Sequence, residues 1–270
     1  MTLAETILLR IAGMSWFDAV NHSFSTIATG GFSTRNLSIA AFDSPWIEVI
    51  IIFFMFLAGI HFGLIFATLI GSRNNMLHSE VVRYYFICVA AGAIFITFNL
   101  WNSGIYDDFA TSLRYGTFHS ISMITTTGFA TADTAGWPPF SMAILFFFMI
   151  QCDCAGYTSG GLKADRILLA FKVIKNRIRQ QQHPRAVLRI KMNGVLQEES
   201  TINNAMLYIV IYILFILLGT LINTAAGSDF VTGLTASATC MGNVGPGLGE
   251  IGSMDNFAAI PDVTKATSTV

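Results

Sequence analysis

The sequence has 270 residues, of which 53% are hydrophobic and only 11% are charged. Because soluble domains are about a quarter charged, this composition excludes an ordinary water-soluble protein. The formal net charge of −1 conceals one strongly basic segment, since nine of the fifteen Lys and Arg residues lie between Lys163 and Lys191. A basic segment between hydrophobic stretches is typical of a cytoplasmic loop or of a surface that faces membrane lipid. We therefore expect no nucleic acid partner.

Apolar stretches along the chain predict membrane-spanning helices. The clearest is 46–70, whose 25 residues include only Glu48 and His61 as strongly polar groups. Such a stretch is long enough to cross about 30 Å of hydrocarbon. The others are 84–101, 140–150 and 205–225, of which 140–150 is too short to cross alone. The predicted fold class is an all-α integral membrane protein that crosses the bilayer several times.

A glycine-containing segment occurs three times in the chain. The copies are residues 22–34, residues 119–131 and, more weakly, residues 236–248. The first two align without a gap at an offset of 97, and the third follows at a further offset of 117. Gly31, Gly128 and Gly245 thus fall at the same point of the repeat.

Each copy overlaps the end of a short amphipathic helix. The predicted short helices are 16–27, 109–124 and 230–241, and the Gly/Thr-rich stretches after them are 28–34, 125–131 and 242–249. Helices of these lengths are too short to cross the bilayer and are typical of re-entrant segments. Extended backbone at membrane depth must be buried in protein or line a watery cavity, because hydrocarbon cannot satisfy its N–H and C=O groups. Three such segments together predict a pore.

The residue types of these segments favour a cation as the permeating species. Backbone carbonyls can replace the hydration shell of a monovalent cation, as they do in potassium filters. Glycine allows the positive φ angles that turn successive carbonyls to one side. Thr29, residues 125–127 and Asn243 can add hydrogen bonds or oxygen ligands. The alternative, simple turns between ordinary spans, accounts poorly for three copies that each follow a short helix.

Four motifs in the chain resemble the Trk/Ktr/HKT superfamily of potassium transporters, and in particular its TrkH branch. They are Ala-Thr-Gly-Gly-Phe-Ser-Thr-Arg at 28–35, Thr-Thr-Thr-Gly-Phe-Ala-Thr at 125–131, Ala-Gly-Tyr-Thr-Ser-Gly-Gly-Leu-Lys at 155–163 and Asn-Val-Gly-Pro-Gly-Leu-Gly at 243–249. In that superfamily, four repeats of outer helix, pore helix, filter loop and inner helix surround one permeation path.

The resemblance implies that this chain carries the second, third and fourth repeats. The second occupies 1–71, with the end of an outer helix, pore helix 16–27, filter loop 28–34 and inner helix 46–70. The third occupies 72–180, with outer helix 84–101, pore helix 109–124, filter loop 125–131 and a broken inner helix 140–180 that contains a gate loop at 151–161. A cytoplasmic linker at 181–201 leads to the fourth repeat at 202–270, with outer helix 205–225, pore helix 230–241 and filter loop 242–249. The first repeat and the last inner helix are expected to be missing.

The resemblance also implies which residues act on the ion. The potassium-binding positions would be Thr29, Gly30, Gly31, Thr126, Thr127, Gly128, Asn243, Val244 and Gly245, and the gate-loop positions would be Asp153, Gly156, Thr158, Gly160, Gly161 and Lys163. Potassium, as the transported ion, is the only metal expected, and no cofactor is expected. The implied partners are membrane lipid, a second copy in a homodimer and a cytosolic nucleotide-binding regulatory subunit, in the plasma (inner) membrane of a bacterium.

One departure from the resemblance lies just before the gate loop. Where the superfamily usually has a Gly-Gly pair, this chain has Cys152 and Asp153. An acid at membrane depth is a functional-site hypothesis by default. Drift in a defective gene is the equally weighted alternative.

Potassium transport across the membrane is the function that these patterns favour. A sodium-permeable relative and a non-conducting remnant remain as alternatives. An intramembrane metal-binding enzyme built around Cys152, Asp153, Cys154 and the histidines is the least favoured. The sequence offers no nucleophile–base pair and no metal-ligand set of recognisable spacing for it. We therefore predict that the protein is not an enzyme.

Overall fold

The computed structural model describes residues 1–71, 76–154, 160–183, 189–254 and 264–265. Ten α-helices occur in this part of the chain: α1 Thr2–Ile11, α2 Trp16–Ile27, α3 Pro45–Ala58, α4 Phe62–Leu69, α5 Glu80–Asn102, α6 Phe109–Ile124, α7 Pro139–Ile150, α8 Ala164–Gln182, α9 Glu199–Ala225 and α10 Phe230–Gly242. The other elements are 3₁₀ turns at Ser38–Phe42 and Gly249–Ile251, and a hairpin of β1 Lys191–Met192 and β2 Val195–Leu196. The all-α prediction is confirmed.

In the described ranges, two helices, α5 and α9, are long and apolar enough to cross a membrane, and α3 with α4 makes a third span if the bent pair counts as one. The surface of α9 is almost wholly apolar and open. Leu214, Leu218 and Leu221 are 50%, 51% and 66% exposed. Exposed apolar area on this scale marks contact with lipid or with protein. It fits a helix that has hydrocarbon as its solvent.

The three short helices begin where the sequence predicts, at residues 16, 109 and 230. The long helices begin earlier than predicted. α5 begins at Glu80 rather than at 84, because the hydroxyl of Ser79 accepts a hydrogen bond from the N–H of Val82 and caps the first turn. α9 begins at Glu199 rather than at 205 and so includes the end of the predicted linker 181–201. The starts predicted from the apolar stretches are late because the first turns of α5 and α9 contain polar residues.

The prediction of one continuous helix over 46–70 is wrong. The chain leaves α3 after Ala58 and enters α4 at Phe62, and the two helices are bent by 100°. The imidazole of His61 accepts a hydrogen bond from the N–H of Gly63 at 3.0 Å and so caps α4. Because the residues on both sides of the break are apolar, hydropathy does not show it.

The break makes room for a distant part of the chain. A Cβ on Gly59 would lie 2.5 Å from the hydroxyl oxygen of Tyr85 and 3.3 Å from the Cβ of Asp153. The carbonyl of Gly59, freed from the helix, accepts the backbone N–H of Cys154 at 3.2 Å. Tertiary contact therefore sets the position of the break.

The helices pack in a pattern that repeats along the chain. α1 packs on α2, α5 on α6 and α9 on α10, so the first helix of each repeat contacts the short helix that follows it. α3 contacts α6, and α7 contacts α10, so the helix after one loop packs on the next short helix. Consecutive repeats are therefore joined side by side.

The hairpin is attached to the start of α5. The side-chain oxygen of Asn193 accepts the backbone N–H of Glu80 at 2.8 Å. Lys172 of α8 pairs with the carboxylate of Glu80 and donates to the carbonyl of Lys191 at 2.7 Å. Thus α5, α8 and the hairpin meet at Glu80.

Candidate functional site

The chain leaves α2, α6 and α10 through the same hydrogen-bonded cap. In each, a backbone N–H bonds the carbonyl five residues earlier: Gly30 to Ser25 at 2.8 Å, Thr127 to Ser122 at 3.0 Å and Val244 to Thr239 at 2.9 Å. The preceding residue in each bonds three residues back: Thr29 to Thr26 at 3.1 Å, Thr126 to Met123 at 3.1 Å and Asn243 to Cys240 at 3.2 Å. This pair of bonds defines a Schellman cap, which requires a left-handed residue.

The left-handed residue of each cap is not glycine. Thr29, Thr126 and Asn243 have φ angles of 51°, 54° and 53°. Asn tolerates this region, but a β-branched Thr rarely adopts it, and such residues cost on the order of 1–3 kcal/mol each. Strain of this kind persists only where the surrounding structure imposes it, and it clusters at functional sites. The predicted potassium-binding positions therefore include strained backbone.

Two residues further on, each loop contains its aligned glycine. Gly31, Gly128 and Gly245 have φ angles of 67°, 77° and 102°. A Cβ on Gly31 would lie 2.0 Å from the backbone oxygen of Thr127, and a Cβ on Gly128 would lie 2.1 Å from that of Val244. In the described part of the chain, nothing lies within 4 Å of a Cβ at Gly245. The three loops are therefore neighbours in chain order, backbone against backbone.

Hydroxyl groups of α6 and α10 hold the loops that follow these helices. Ser122 donates to the carbonyl of Phe129 at 2.7 Å, and the aligned Thr239 donates to the carbonyl of Pro246 at 2.9 Å. Each carbonyl belongs to the residue directly after the aligned glycine. The aligned residue of α2, Ser25, has a buried hydroxyl with no hydrogen-bond partner in the described part of the chain.

The loop after α2 is held instead by a charged side chain. The carboxylate of Asp18, in the first turn of α2 and outside the spanning helices, is 3% exposed. It accepts the hydroxyl of Thr34 at 2.5 Å and the guanidinium of Arg35 at 2.9 Å. The hydrogen bond from Thr34, with that from Arg35, lowers the pKa of Asp18 to about 2, so the carboxylate is ionised at neutral pH. One turn later, the ring nitrogens of His22 bond the carbonyl of Asp18 at 2.7 Å and the hydroxyl of Ser33 at 2.9 Å.

An ion pair between a buried carboxylate and a partly exposed guanidinium joins α3 to α6. Arg114 donates from Nε and Nη2 to the two carboxylate oxygens of Glu48, at 2.6 and 2.7 Å. Glu48 is 2% exposed. A bidentate pair of this geometry is among the stronger polar contacts in proteins. The sequence shows Glu48 only as an interruption in an apolar stretch, because its partner lies 66 residues away.

The two described ends of the segment between α7 and α8 are hydrogen-bonded to each other. The N–H of Cys152 bonds the carbonyl of Leu162, and the N–H of Ala164 bonds the carbonyl of Asp153, both at 2.9 Å. The carboxylate of Asp153 is fully buried and lies 3.4 Å from the ammonium of Lys163. The acid that departs from the family pattern is therefore half of an ion pair across the two ends of the predicted gate loop.

This segment touches two other repeats. A Cβ on Gly160 would lie 2.5 Å from the carbonyl oxygen of Gly242, at the end of α10. The bond from Cys154 to Gly59 ties the same segment to the break between α3 and α4. Gly161 has a φ of 70°. Gly156 and Thr158, also predicted for the gate loop, lie outside the described residues.

The structure gathers most of the predicted site residues and adds others. Among the described residues, no three His, Cys, Asp or Glu side chains converge where they could hold a metal ion. Asp18 was not predicted to support the loop, although Asp18 and His22 lie four residues apart on one face of a helix. That spacing was the available signal.

The sequence is similar to those of known cation transport proteins. Residues 4–268 match the TrkH family, described as cation transport proteins. The Trk system potassium uptake protein TrkH of Salmonella typhimurium is 38% identical over 266 residues, which are 98% of this chain and 55% of that protein. The Trk system potassium uptake protein TrkG of Escherichia coli K12 is 32% identical over 264 residues, 97% of this chain and 54% of that protein.

A solved structure shares the fold as well. The crystal structure of the potassium transporter TrkH from Vibrio parahaemolyticus aligns with a TM-score of 0.90 and 31% identity, covering 98% of this chain and 57% of that chain. The chain spans about half the length of these relatives. Because the family match extends over nearly all of its residues, the chain belongs to the TrkH family of cation transport proteins.

Proposed function

We propose that this chain forms three filter loops of a potassium-conducting pore within a Trk-type potassium uptake system. One observation carries the proposal: the left-handed glycines Gly31 and Gly128 each lie against a backbone oxygen of the next loop. Backbone oxygens grouped around a path are how potassium filters replace the hydration shell of the ion. The relatives are named as potassium uptake proteins, which favours potassium as the ion.

The proposed potassium-binding residues supply backbone and Thr or Asn oxygens. They are Thr29, Gly30, Gly31, Thr126, Thr127, Gly128, Asn243, Val244 and Gly245. α2, α6 and α10 end at these loops, so their carboxyl-terminal dipole ends, which are partially negative, are directed toward the ion. Neither contribution requires a buried acid at the filter.

We infer that residues 151–163 act as a gate on the same path. Gly160 lies against the end of α10, directly before the third filter loop, which supports this position. The ion pair between Asp153 and Lys163 closes the base of the segment. In this proposal, opening the gate requires the two ends of the segment to separate.

The wider setting of the proposal rests on the family. A Trk-type system is expected to place this chain in the plasma membrane of a bacterium, as a homodimer with a cytosolic nucleotide-binding regulatory subunit. A sodium-permeable pore and a non-conducting remnant are the competing functions. A measurement of ion selectivity distinguishes the sodium-permeable pore from the proposed function. A measurement of whether any ion is transported distinguishes the non-conducting remnant.

The test uses bacteria that lack their own potassium uptake systems. The chain is joined to the amino- and carboxy-terminal portions of the Salmonella typhimurium relative that it does not cover, which gives what we call the completed chain. We expect growth on limiting potassium and uptake of rubidium in preference to sodium. Equal uptake of the two ions would favour the sodium-permeable alternative. No uptake, with the protein present in the membrane, would favour the remnant.

A further inference from the structure

α8 changes character about a third of the way along its length. Its buried residues are Ala164 and Leu169, and in the described part of the helix no residue after Leu169 is buried. The helix carries five cations and one acid. Its later turns are therefore basic and lie on the surface of the described structure.

Three apolar side chains form a line along these turns. Phe171, Ile174 and Ile178 are 55%, 54% and 54% exposed. Their spacing of three and four residues places them on one face of the helix. Lys175, four residues after Phe171, and Arg179, directly after Ile178, border the same face. We call these five residues the α8 stripe.

Contact with α5 fixes the depth of the stripe in the membrane. α5 has 23 residues. At about 1.5 Å per residue it is about 35 Å long, slightly more than the ~30 Å of hydrocarbon, so Glu80 at its start lies at a membrane surface. Lys172 pairs with the carboxylate of Glu80. Ile174, Lys175, Ile178 and Arg179 follow Lys172 by two to seven positions, within about 11 Å along the helix, so they lie close to the same membrane surface.

Exposed isoleucines at headgroup level need a particular neighbour. Exposing these isoleucines to bulk water would cost free energy, and placing the adjacent Lys and Arg in hydrocarbon would cost free energy as well. The boundary between acyl chains and anionic headgroups satisfies both, since apolar side chains enter the acyl region while Lys and Arg pair with phosphate. We propose that the α8 stripe binds the headgroups of anionic phospholipids in the adjacent leaflet. This proposal does not depend on potassium conduction.

The stripe is connected to the gate segment by the helix itself. α8 begins at Ala164, directly after Lys163 of the pair with Asp153. Lipid bound at the stripe would hold the far end of the helix that carries one side of that pair. Lys172, bound to Glu80 and to the carbonyl of Lys191, is the structural anchor and is not counted in the stripe.

The test is amide hydrogen exchange on the 270-residue chain in two kinds of lipid nanodisc. One contains phosphatidylcholine alone, and the other includes phosphatidylglycerol. We expect the amides of 171–182 to exchange more slowly with phosphatidylglycerol. Each surface cation contributes about fivefold to binding (about 1 kcal/mol), so replacing Lys175 and Arg179 by Gln should reduce lipid binding about 25-fold and abolish the slowing.

Two variants make the result specific. Exchanging the cations, Lys175→Arg with Arg179→Lys, keeps the charge and should keep the slowing. Arg83→Gln removes an exposed cation from the same end of α5, outside the stripe, and should leave the slowing of 171–182 in place. Equal exchange in the two nanodiscs would overturn the proposal. A second result would also overturn it: amides 171–182 exchange equally slowly in both nanodiscs, and the slow exchange disappears when each nanodisc holds a single chain. The stripe would then contact a second copy of the chain.

Discussion

The loops after α2 and α6 share a backbone conformation and differ in what supports it. Both begin with the same cap and both place a left-handed glycine against the next loop. The loop after α6 is held by neutral groups, the hydroxyl of Ser122 and the ring of His119, which accepts the N–H of Ala132 at 3.2 Å. The loop after α2 shares the histidine, since the aligned His22 bonds the hydroxyl of Ser33, but ionised Asp18 with Thr34 and Arg35 takes the place of the serine hydroxyl. The comparison teaches that the repeat preserves the path of the backbone, while the side chains behind it are free to differ.

Breaking the shared backbone should have the largest effect. Gly128→Ser would place a Cβ 2.1 Å from the carbonyl oxygen of Val244, at a φ of 77°. We expect at least a tenfold fall in the rubidium-to-sodium uptake ratio of the completed chain, since about 1.4 kcal/mol of differential loss is tenfold. Gly136→Ala is the control, because a Cβ there meets nothing within 4 Å. A wild-type ratio in Gly128→Ser, with protein in the membrane, would contradict the filter assignment.

Removing the charged support should have the next largest effect, and only on the loop after α2. Asp18→Asn leaves Thr34 and Arg35 without an ionised acceptor, and hydrogen bonds to charged groups contribute about 1.5–3 kcal/mol each. We expect a several-fold fall in the uptake ratio together with a lower unfolding temperature. Tyr115→Phe, at the aligned position of α6, should leave the ratio unchanged. Equal ratios for the two variants would show that the charge does not position the loop.

Removing the neutral support should have a smaller effect. Ser122→Ala loses one hydrogen bond to the carbonyl of Phe129, worth about 1 kcal/mol of unfolding free energy. The aligned Ser25→Ala removes a hydroxyl that has no partner in the described part of the chain. It should be neutral or slightly stabilising. Thermal unfolding of the purified chain in detergent compares the two, and equal losses would refute the difference in support.

The smallest expected effect is that of pH. The folded pKa of Asp18 is about 2, below the ordinary value of about 3.9. Its contribution is therefore present above about pH 4 and is lost only as the pH falls toward 2. The uptake ratio of the unmodified completed chain should not change through titration of Asp18 between about pH 5 and 8. A wild-type ratio at pH 5 that matched Asp18→Asn would contradict this assignment.

The sequence was informative where a feature is local and uninformative where it depends on distant contacts. The short helices at 109–124 and 230–241 could be predicted because their length and turn residues are local. The break at Gly59 could not, because it is imposed by Tyr85 and Cys154 from the next repeat. The left-handed Thr29 and Thr126 were also beyond prediction, since propensity alone assigns such angles to Gly or Asn.

The pair of Glu48 and Arg114 also imposes an order on biosynthesis. The two residues are 66 positions apart. At about 5–20 residues per second, Glu48 is therefore made about 3–13 s before its partner. A lone carboxylate in hydrocarbon costs several kcal/mol, so during this interval Glu48 must stay in contact with water or with another polar group. The ion pair that joins α3 to α6 can therefore form only after Arg114 of the third repeat has been made.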